Sequence, residues 1–335
     1  RPILRIPSLA IHLSREVATD GFKPNKESHT TPILGIVSDS PSSSSNQPKD
    51  DVDFASKMIN ERLSQQLLSV LAQEAQIQTQ EIVDFELVLA DTQPCAIGGI
   101  ENEFVFAPRL DNLASSFTAT EALIESLNLH SIANCTNVRS IVLFDHEEVG
   151  SDSYQGAGSP MLRELLQRVT AALSDEHNVT DAFEAILHRS FLVSADMAHA
   201  LHPNYSGKHE LRHQPGFGRG LVVKTNQNQR YATTVFSGYV IREMARLATR
   251  RYDWKFVPIQ EFVVPNDTGC GSTIGPILAS GAGIRTVDVG QAQLAMHSIR
   301  EMCAVSDTNY VKLIFAEFFA SFNTISDLSD DLMTL

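Results

Sequence analysis

The stretch Ser140-Ile141-Val142-Leu143-Phe144-Asp145-His146-Glu147-Glu148-Val149-Gly150 constrains the fold of this chain more than any other. A short apolar run that breaks off at two adjacent carboxylates and a glycine reads as a buried strand carrying charge at its C-terminal end. In open α/β sheets, ligands lie in the crevice beyond the carboxyl ends of the strands, so an acid pair there means something different from one on a solvated helix face. Alone, the pair reads more readily as a solvated loop. The decision rests on what else the chain brings to strand ends.

Residues 1–35 alternate apolar pieces with breakers and predict β-rich structure without a helix. His12 lies in one such alternation, where it reads as a half-buried strand histidine. Residues 38–52 are poor in apolar side chains and rich in turn formers, a flexible loop. Phe54, Met58, Ile59, Leu63, Leu67, Leu68 and Leu71 recur at helical spacing and predict a helix over 53–75. Residues 82–90 alternate as a strand does, and the break near Gly98-Gly99 divides a first domain, 1–100, from a second, 101–335. In the second domain strands are expected at 104–112, 140–145, 190–196, 221–224, 260–264 and 284–290, and helices at 113–127, 161–173, 233–250 and 309–322. This alternation predicts an α/β fold, a sheet with helices on both faces.

Composition narrows the partners. A net charge of −14 over 335 residues argues against a nucleic-acid backbone or an anionic membrane, both of which want a basic surface, and suits cationic ligands such as metal ions. Cys95, Cys135, Cys270 and Cys303 lack CxxC spacing, so neither a zinc knuckle nor a disulfide framework is indicated, and reduced, cytosol-like surroundings fit. There is no apolar window of about 18 residues and no signal-peptide pattern at the start. The opening Arg1-Pro2-Ile3-Leu4-Arg5-Ile6-Pro7 looks like a domain interior, so the protein is expected to begin upstream.

Asp111, the Glu147/Glu148 pair, Asp196 and His297 all fall at the ends of separate elements. Carboxylates brought together without matching lysines or arginines repel, so convergence of these positions calls for a cation. Oxygen ligands with an imidazole suit zinc, manganese or cobalt, and one carboxylate can bridge two ions about 3.5–4 Å apart. Glu147 and Glu148 are placed to divide the labour, one as proton acceptor and one as ligand. The glycine-rich turn 266–273 lacks the lysine of a P-loop and the GxGxxG spacing, which argues against nucleotide binding. His202, His209 and His213 read as loop or pocket wall rather than a further metal site.

Arg109-Leu110-Asp111-Asn112, Asp145-His146-Glu147-Glu148-Val149-Gly150-Ser151, Ser194-Ala195-Asp196-Met197-Ala198-His199 and Ala295-Met296-His297-Ser298-Ile299-Arg300-Glu301 occur in the order and approximate spacing of the M18 metallopeptidases. The resemblance extends over nearly all of the chain, the 38–52 loop and the last residues excepted. It implies a mixed sheet flanked by helices plus a smaller β-rich dimerisation domain, of which 1–100 and 101–335 would be the later parts of each domain. It implies two divalent ions, zinc first, with Asp111 bridging them, Glu148 and His297 completing one and Asp196 ligating the other. Glu147 would be the general base. His199, Lys224 and Tyr231 would line the substrate pocket, and His12 would enter it from a neighbouring subunit. Without the resemblance, Lys224 reads as a surface lysine and Tyr231 as a tyrosine at the core edge.

The resemblance further implies removal of acidic N-terminal residues from peptides, assembly through dimers into dodecamers, and a cytoplasmic location, with a vacuolar or lysosome-like address as the alternative. The family's remaining ligand, a histidine in a His-Thr-Asp motif, has no counterpart in the chain. His29-Thr30-Thr31 matches a different family segment, while His146 stands where a smaller polar residue is usual and is a possible stray ligand. An assembly or cargo-type member with an incomplete metal site is therefore the competing expectation.

Overall fold

The computed structural model describes residues 1–36, 58–59, 63–174, 179–253 and 256–332, and the chain divides into two compact units, Arg1–Gln93 and Pro94–Leu335. The loop expected at 38–52 lies outside the described residues, as does much of the first half of the helix expected over 53–75.

In the first unit, helix α1 (Val17–Asp20) is a single turn, and among the described residues a small core forms on α2 (Gln65–Ala75). Ser64 caps α2 by accepting a hydrogen bond from the Gln66 N–H, and Leu68 and Ala72 pack on Ile82, Ile59, Leu63 and Phe85. The β-rich expectation for this part fails among the described residues: the pairing there is one antiparallel bridge, Arg5 to Ile33. Residues 11–13, expected in a strand, form a turn, and His12 is exposed rather than half-buried. Residues 82–90 form no strand ladder, leaving Val88 84% and Val83 69% exposed. An alternating pattern marks one apolar face, but a strand also needs a neighbour to take its N–H and C=O groups.

The second unit holds two sheets. One has the order β1-β2-β9-β8-β4, from Ala96–Gly98 (β1), Phe104–Ala107 (β2), Ala198–His199 (β4), Ala292–Leu294 (β8) and Glu301–Ala304 (β9). The other, β3-β7-β5-β6, is built from Phe191–Ala195 (β3), Leu221–Thr225 (β5), Ile259–Val263 (β6) and Arg285–Gly290 (β7). It is mixed: β3 with β7 and β5 with β6 are parallel, β5 with β7 antiparallel.

Alternation along β3 sorts the helices onto the two faces. Phe191, Val193 and Ala195 point into a core built with α3 (Leu110–Leu129), α6 (Val235–Arg251) and α8 (Val305–Leu332), centred on Val240, Ile241, Met244 and Ile314. Leu192 points the other way, onto α4 (Met161–Leu173), α5 (Val179–Arg189) and α7 (Gly275–Ala282). The expected α/β architecture, mixed sheets flanked by helices, is the observed one. Helix α1, which falls in the stretch expected to hold no helix, helix α5 and strands β1, β4, β8 and β9 were not read from the sequence.

The run 140–145 is corrected as well. It forms no strand and joins no ladder among the described residues, and the chain bends at Asp145. Val142 and Phe144 pack on Ala157, Leu162 and Leu278, whereas Leu143 between them is 63% exposed. The period-two pattern is therefore expressed in packing, and the missing feature is a partner backbone. No helix among the described residues is long and apolar enough to cross a membrane, and the four cysteines are free thiols.

Candidate metal centre

Each acid arrives at the beginning or just past the end of an element. Asp111 sits at the start of α3, Glu147 and Glu148 in the turn after the extended run, and Asp196 directly after β3. His297 lies in the turn between β8 and β9. The chain bends sharply at these deliveries: Arg109, His146, Ala295 and His297 all have φ near +60°, a left-handed conformation that costs a non-glycine residue energy and is held by the surrounding contacts.

The turns bring together donors distant in sequence. His297 Nε2 lies 3.2 Å from Asp111 Oδ2 and 3.3 Å from Glu148 Oε2, and one ligand atom from each of the three falls within 4.8 Å of the others. Asp196 adjoins them, with its carboxyl next to that of Asp111 and its Oδ2 facing the Lys224 ammonium at 3.5 Å. Lys224 is 2% exposed and Tyr231 5%. Period two along β5 turns Lys224 to the side of Val222, into a cluster with Phe262 and Tyr231, and places its ammonium 5.4 Å from the centre of the Tyr231 ring. The surface-lysine reading of Lys224 is thus overturned, and Tyr231 is deeper than the core edge.

The electrostatics record an excess of negative charge. Burial, then the hydrogen-bonded Asp196 carboxyl and the Glu148 charge, push Asp111 up to about 9 against the opposing pull of Lys224. Burial and the Asp196 and Glu148 charges push Glu147 up to about 7. Burial works to raise Asp196 too, but the Lys224 ammonium and hydrogen bonds from Asp111, Lys224 and the Met197 N–H hold it below the usual carboxylate range. Carboxylates paired so closely, with an imidazole and one buried ammonium, fit a divalent cation. In the metal-free protein Asp111 and Glu147 hold protons more tightly folded than unfolded. Their contribution to stability is therefore full below their ordinary values and is lost as pH rises toward about 7 for Glu147 and about 9 for Asp111. With a chelator present, unfolding temperatures should be lower at about pH 8.5 than at about pH 6, and excess zinc should remove the difference.

Glu301 is a residue that sequence reasoning missed. Only 2% exposed, its carboxylate accepts the Asp111 N–H at 3.1 Å through Oε2 and the His297 N–H at 2.8 Å through Oε1. One side chain on β9 thereby ties the backbones of two donors together. The signal was its place at the end of the Ala295-to-Glu301 motif, but sequence does not reveal a backbone partner. Glu301→Ala should weaken divalent-metal binding about 10- to 100-fold, read by competition with a chromophoric chelator. Unchanged affinity would reject this role.

Asp288 was also missed. Fully buried in β7, it accepts the Ala232 N–H and the Thr273 hydroxyl, both at 2.6 Å, and so anchors the loop carrying Tyr231 to the glycine-rich turn. A Cβ on Gly275 would collide with the Asp288 carboxylate, which thus fills the space a phosphate would need at the start of α7.

The remaining candidates fall as follows. His199, on β4, packs edge-on to Phe262, and burial, then Lys224, lowers its pKa, leaving it neutral near pH 7. His146 turns to Ser153 and Asp145 and stays outside the three-donor group. His29 accepts the Asn25 N–H, and both it and His12 belong to the first unit. His202 and His209 line a cavity, as expected of pocket wall, while His213 pairs with Glu210.

Helix-flanked mixed sheets here gather carboxylates and an imidazole from the ends of separate elements, a donor set that fits a divalent cation. Residues 1–319 match the profile of the family Aminopeptidase I zinc metalloprotease (M18), and the chain belongs to the M18 family. It is 46% identical over 334 residues to the probable aspartyl aminopeptidase of Ricinus communis, covering 96% of this chain and 66% of that protein. Among solved structures, the Ape4 and Nbr1 complex is similar with a TM-score of 0.86 and 43% identity, covering 98% of this chain and 59% of that one. The S. cerevisiae mApe1 dodecamer is similar with a TM-score of 0.72 and 29% identity, covering 97% and 64%. The chain spans about two thirds of the length of the sequence relatives it matches.

Proposed function

We propose that this chain carries most of the active centre of an aminopeptidase that releases N-terminal aspartate or glutamate from peptides. The carrying observation is the convergence of Asp111, Glu148 and His297 beside Glu147, with buried Lys224 on the far side of Asp196. Asp111, Glu148, Asp196 and His297 would hold two divalent ions, zinc first and manganese or cobalt as alternatives. Bound there, the ions supply Lewis acidity toward water and the first peptide carbonyl. Glu147, poised near neutrality, accepts the proton of the attacking water and returns it to the departing amine. Neutral His199 and the Tyr231 hydroxyl, whose pKa burial raises, offer hydrogen bonds to the developing oxyanion. The Lys224 ammonium pairs with the acidic side chain of the substrate.

Residues 1–100 would be the later part of a dimerisation domain, with His12 reaching a neighbouring subunit's site, and 101–335 the later part of the catalytic domain. Self-association through dimers into a dodecamer follows the assembly named for the mApe1 relative. A cytoplasmic location is preferred, a vacuolar or lysosome-like one being the alternative.

The test compares hydrolysis of aspartyl, leucyl and lysyl peptides by the zinc-loaded protein, with metal per chain measured by elemental analysis. The aspartyl peptide should be fastest and two ions should be bound. If another peptide is faster, the specificity is wrong. A chain that assembles, binds one ion or none and cleaves none of the three belongs to the assembly or cargo-type reading.

A further inference from the structure

Gln293 sits in the middle of β8, in register with His199 of β4 on one side and Cys303 of β9 on the other. It is 1% exposed, and neither its Nε2 nor its Oε1 has a hydrogen-bond partner among the described residues. The fold satisfies comparable carboxamides elsewhere. Gln291, 2% exposed, donates to the Ala304 carbonyl and the Thr308 hydroxyl, each at 3.0 Å. Gln260 accepts the Gly216 N–H at 2.8 Å and donates to the carbonyls of Gly216 and Gly220. A doubly unpaired buried amide is the exception, and it costs stability unless something else pairs with it.

That something has room. Gln293 lines a cavity of about 330 Å³ with His199, His209, Phe262, Cys270 and Met296. Nδ1 of His209 is also buried without a partner. The cavity is also lined by Ala295 and Met296, the two residues that precede His297 in the chain.

A carboxamide offers an N–H and a C=O side by side. An extended peptide matches it, because in β conformation the N–H and C=O of one residue point the same way, the pairing exchanged across an antiparallel ladder. The N-terminal residue of a substrate cannot be that residue, since it carries an ammonium and the carbonyl under attack. We propose that Gln293 binds the backbone of a residue on the leaving-group side, so that the site takes extended peptides of three or more residues in preference to single-residue amides. This rests on the aminopeptidase reading for the position of the scissile bond.

The test avoids turnover. In chelator, titration calorimetry measures binding of the peptide Asp-Ala-Ala and of aspartic acid α-amide to the wild-type protein and to Gln293→Leu, and the unfolding temperature of both proteins is recorded. Gln293→Leu should bind the tripeptide about tenfold more weakly, bind the α-amide unchanged, and unfold at the same or a higher temperature, because an apolar side chain replaces an unpaired amide. A lower unfolding temperature would make Gln293 a structural hydrogen bonder and overturn the proposal. So would equal weakening of both ligands, an unchanged tripeptide affinity, or a wild-type protein that binds no tripeptide. Selective tripeptide weakening in a protein that hydrolyses nothing when zinc-loaded would remove the aminopeptidase reading and leave a peptide-backbone site.

Discussion

Glu147→Gln should lower kcat by about 10²- to 10⁴-fold, the usual contribution of a general base, while the metal content per chain stays unchanged. The carboxamide keeps the shape of the side chain and forfeits the capacity to take a proton. Glu147 lies outside the group formed by Asp111, Glu148 and His297, so its loss should spare metal binding. Glu148→Gln provides the contrast, since it removes a donor within 3.3 Å of His297 Nε2 and should act first on metal affinity. Glu147 is pushed to about 7 by burial and by two neighbouring acids, and a bound cation will draw it lower. Activity should therefore fall on an acid limb below pH 7 that is absent from the residual rate of Glu147→Gln. A variant retaining more than a tenth of wild-type kcat would rule Glu147 out as the base.

Lys224→Met should have two large and separable effects. The ammonium is 3.5 Å from Asp196 Oδ2 with only 3% of its side chain exposed, so solvent cannot replace it. Removing one partner of a buried pair costs on the order of 3–5 kcal/mol because the other charge is left uncompensated. In chelator the variant should unfold well below the wild type. Saturating zinc should recover most of that loss, since a divalent cation neutralises the same carboxylates. The second effect is on selectivity: the aspartyl-to-leucyl ratio of kcat/KM should fall by about 10²-fold, the scale for leaving a buried substrate charge unpaired. Equal losses on both peptides would mean that Lys224 serves the centre alone and that acidic preference comes from elsewhere.

The acids of the centre were legible because their sequence context is local. Apolar runs ending in Asp196 or in Glu147 and Glu148 announce carboxylates at the ends of extended segments whether or not a ladder forms, and Asp111 before an apolar helical pattern announces a helix start. Asp288 was hidden in plain view: an acid between Val287 and Val289 in a strand must be buried, and a buried carboxylate must find donors. Glu301 was not legible as more than part of a motif, because its two partners are backbone N–H groups at Asp111 and His297.

By itself the sequence determined the acidic charge, the order in which the acids and His297 arrive, and the alternation of strands and helices in the second unit, for these follow from residue type and short-range spacing. The tertiary structure alone decided that 140–145 and 82–90 would join no ladder. It also decided that Lys224 would be buried against Asp196 rather than solvated, and that Gln293 would be enclosed without a partner while Gln291 found two. The physical reason is the same in each case: whether a polar group is paired, and whether a charge is desolvated, depends on residues remote in sequence that the fold brings into contact.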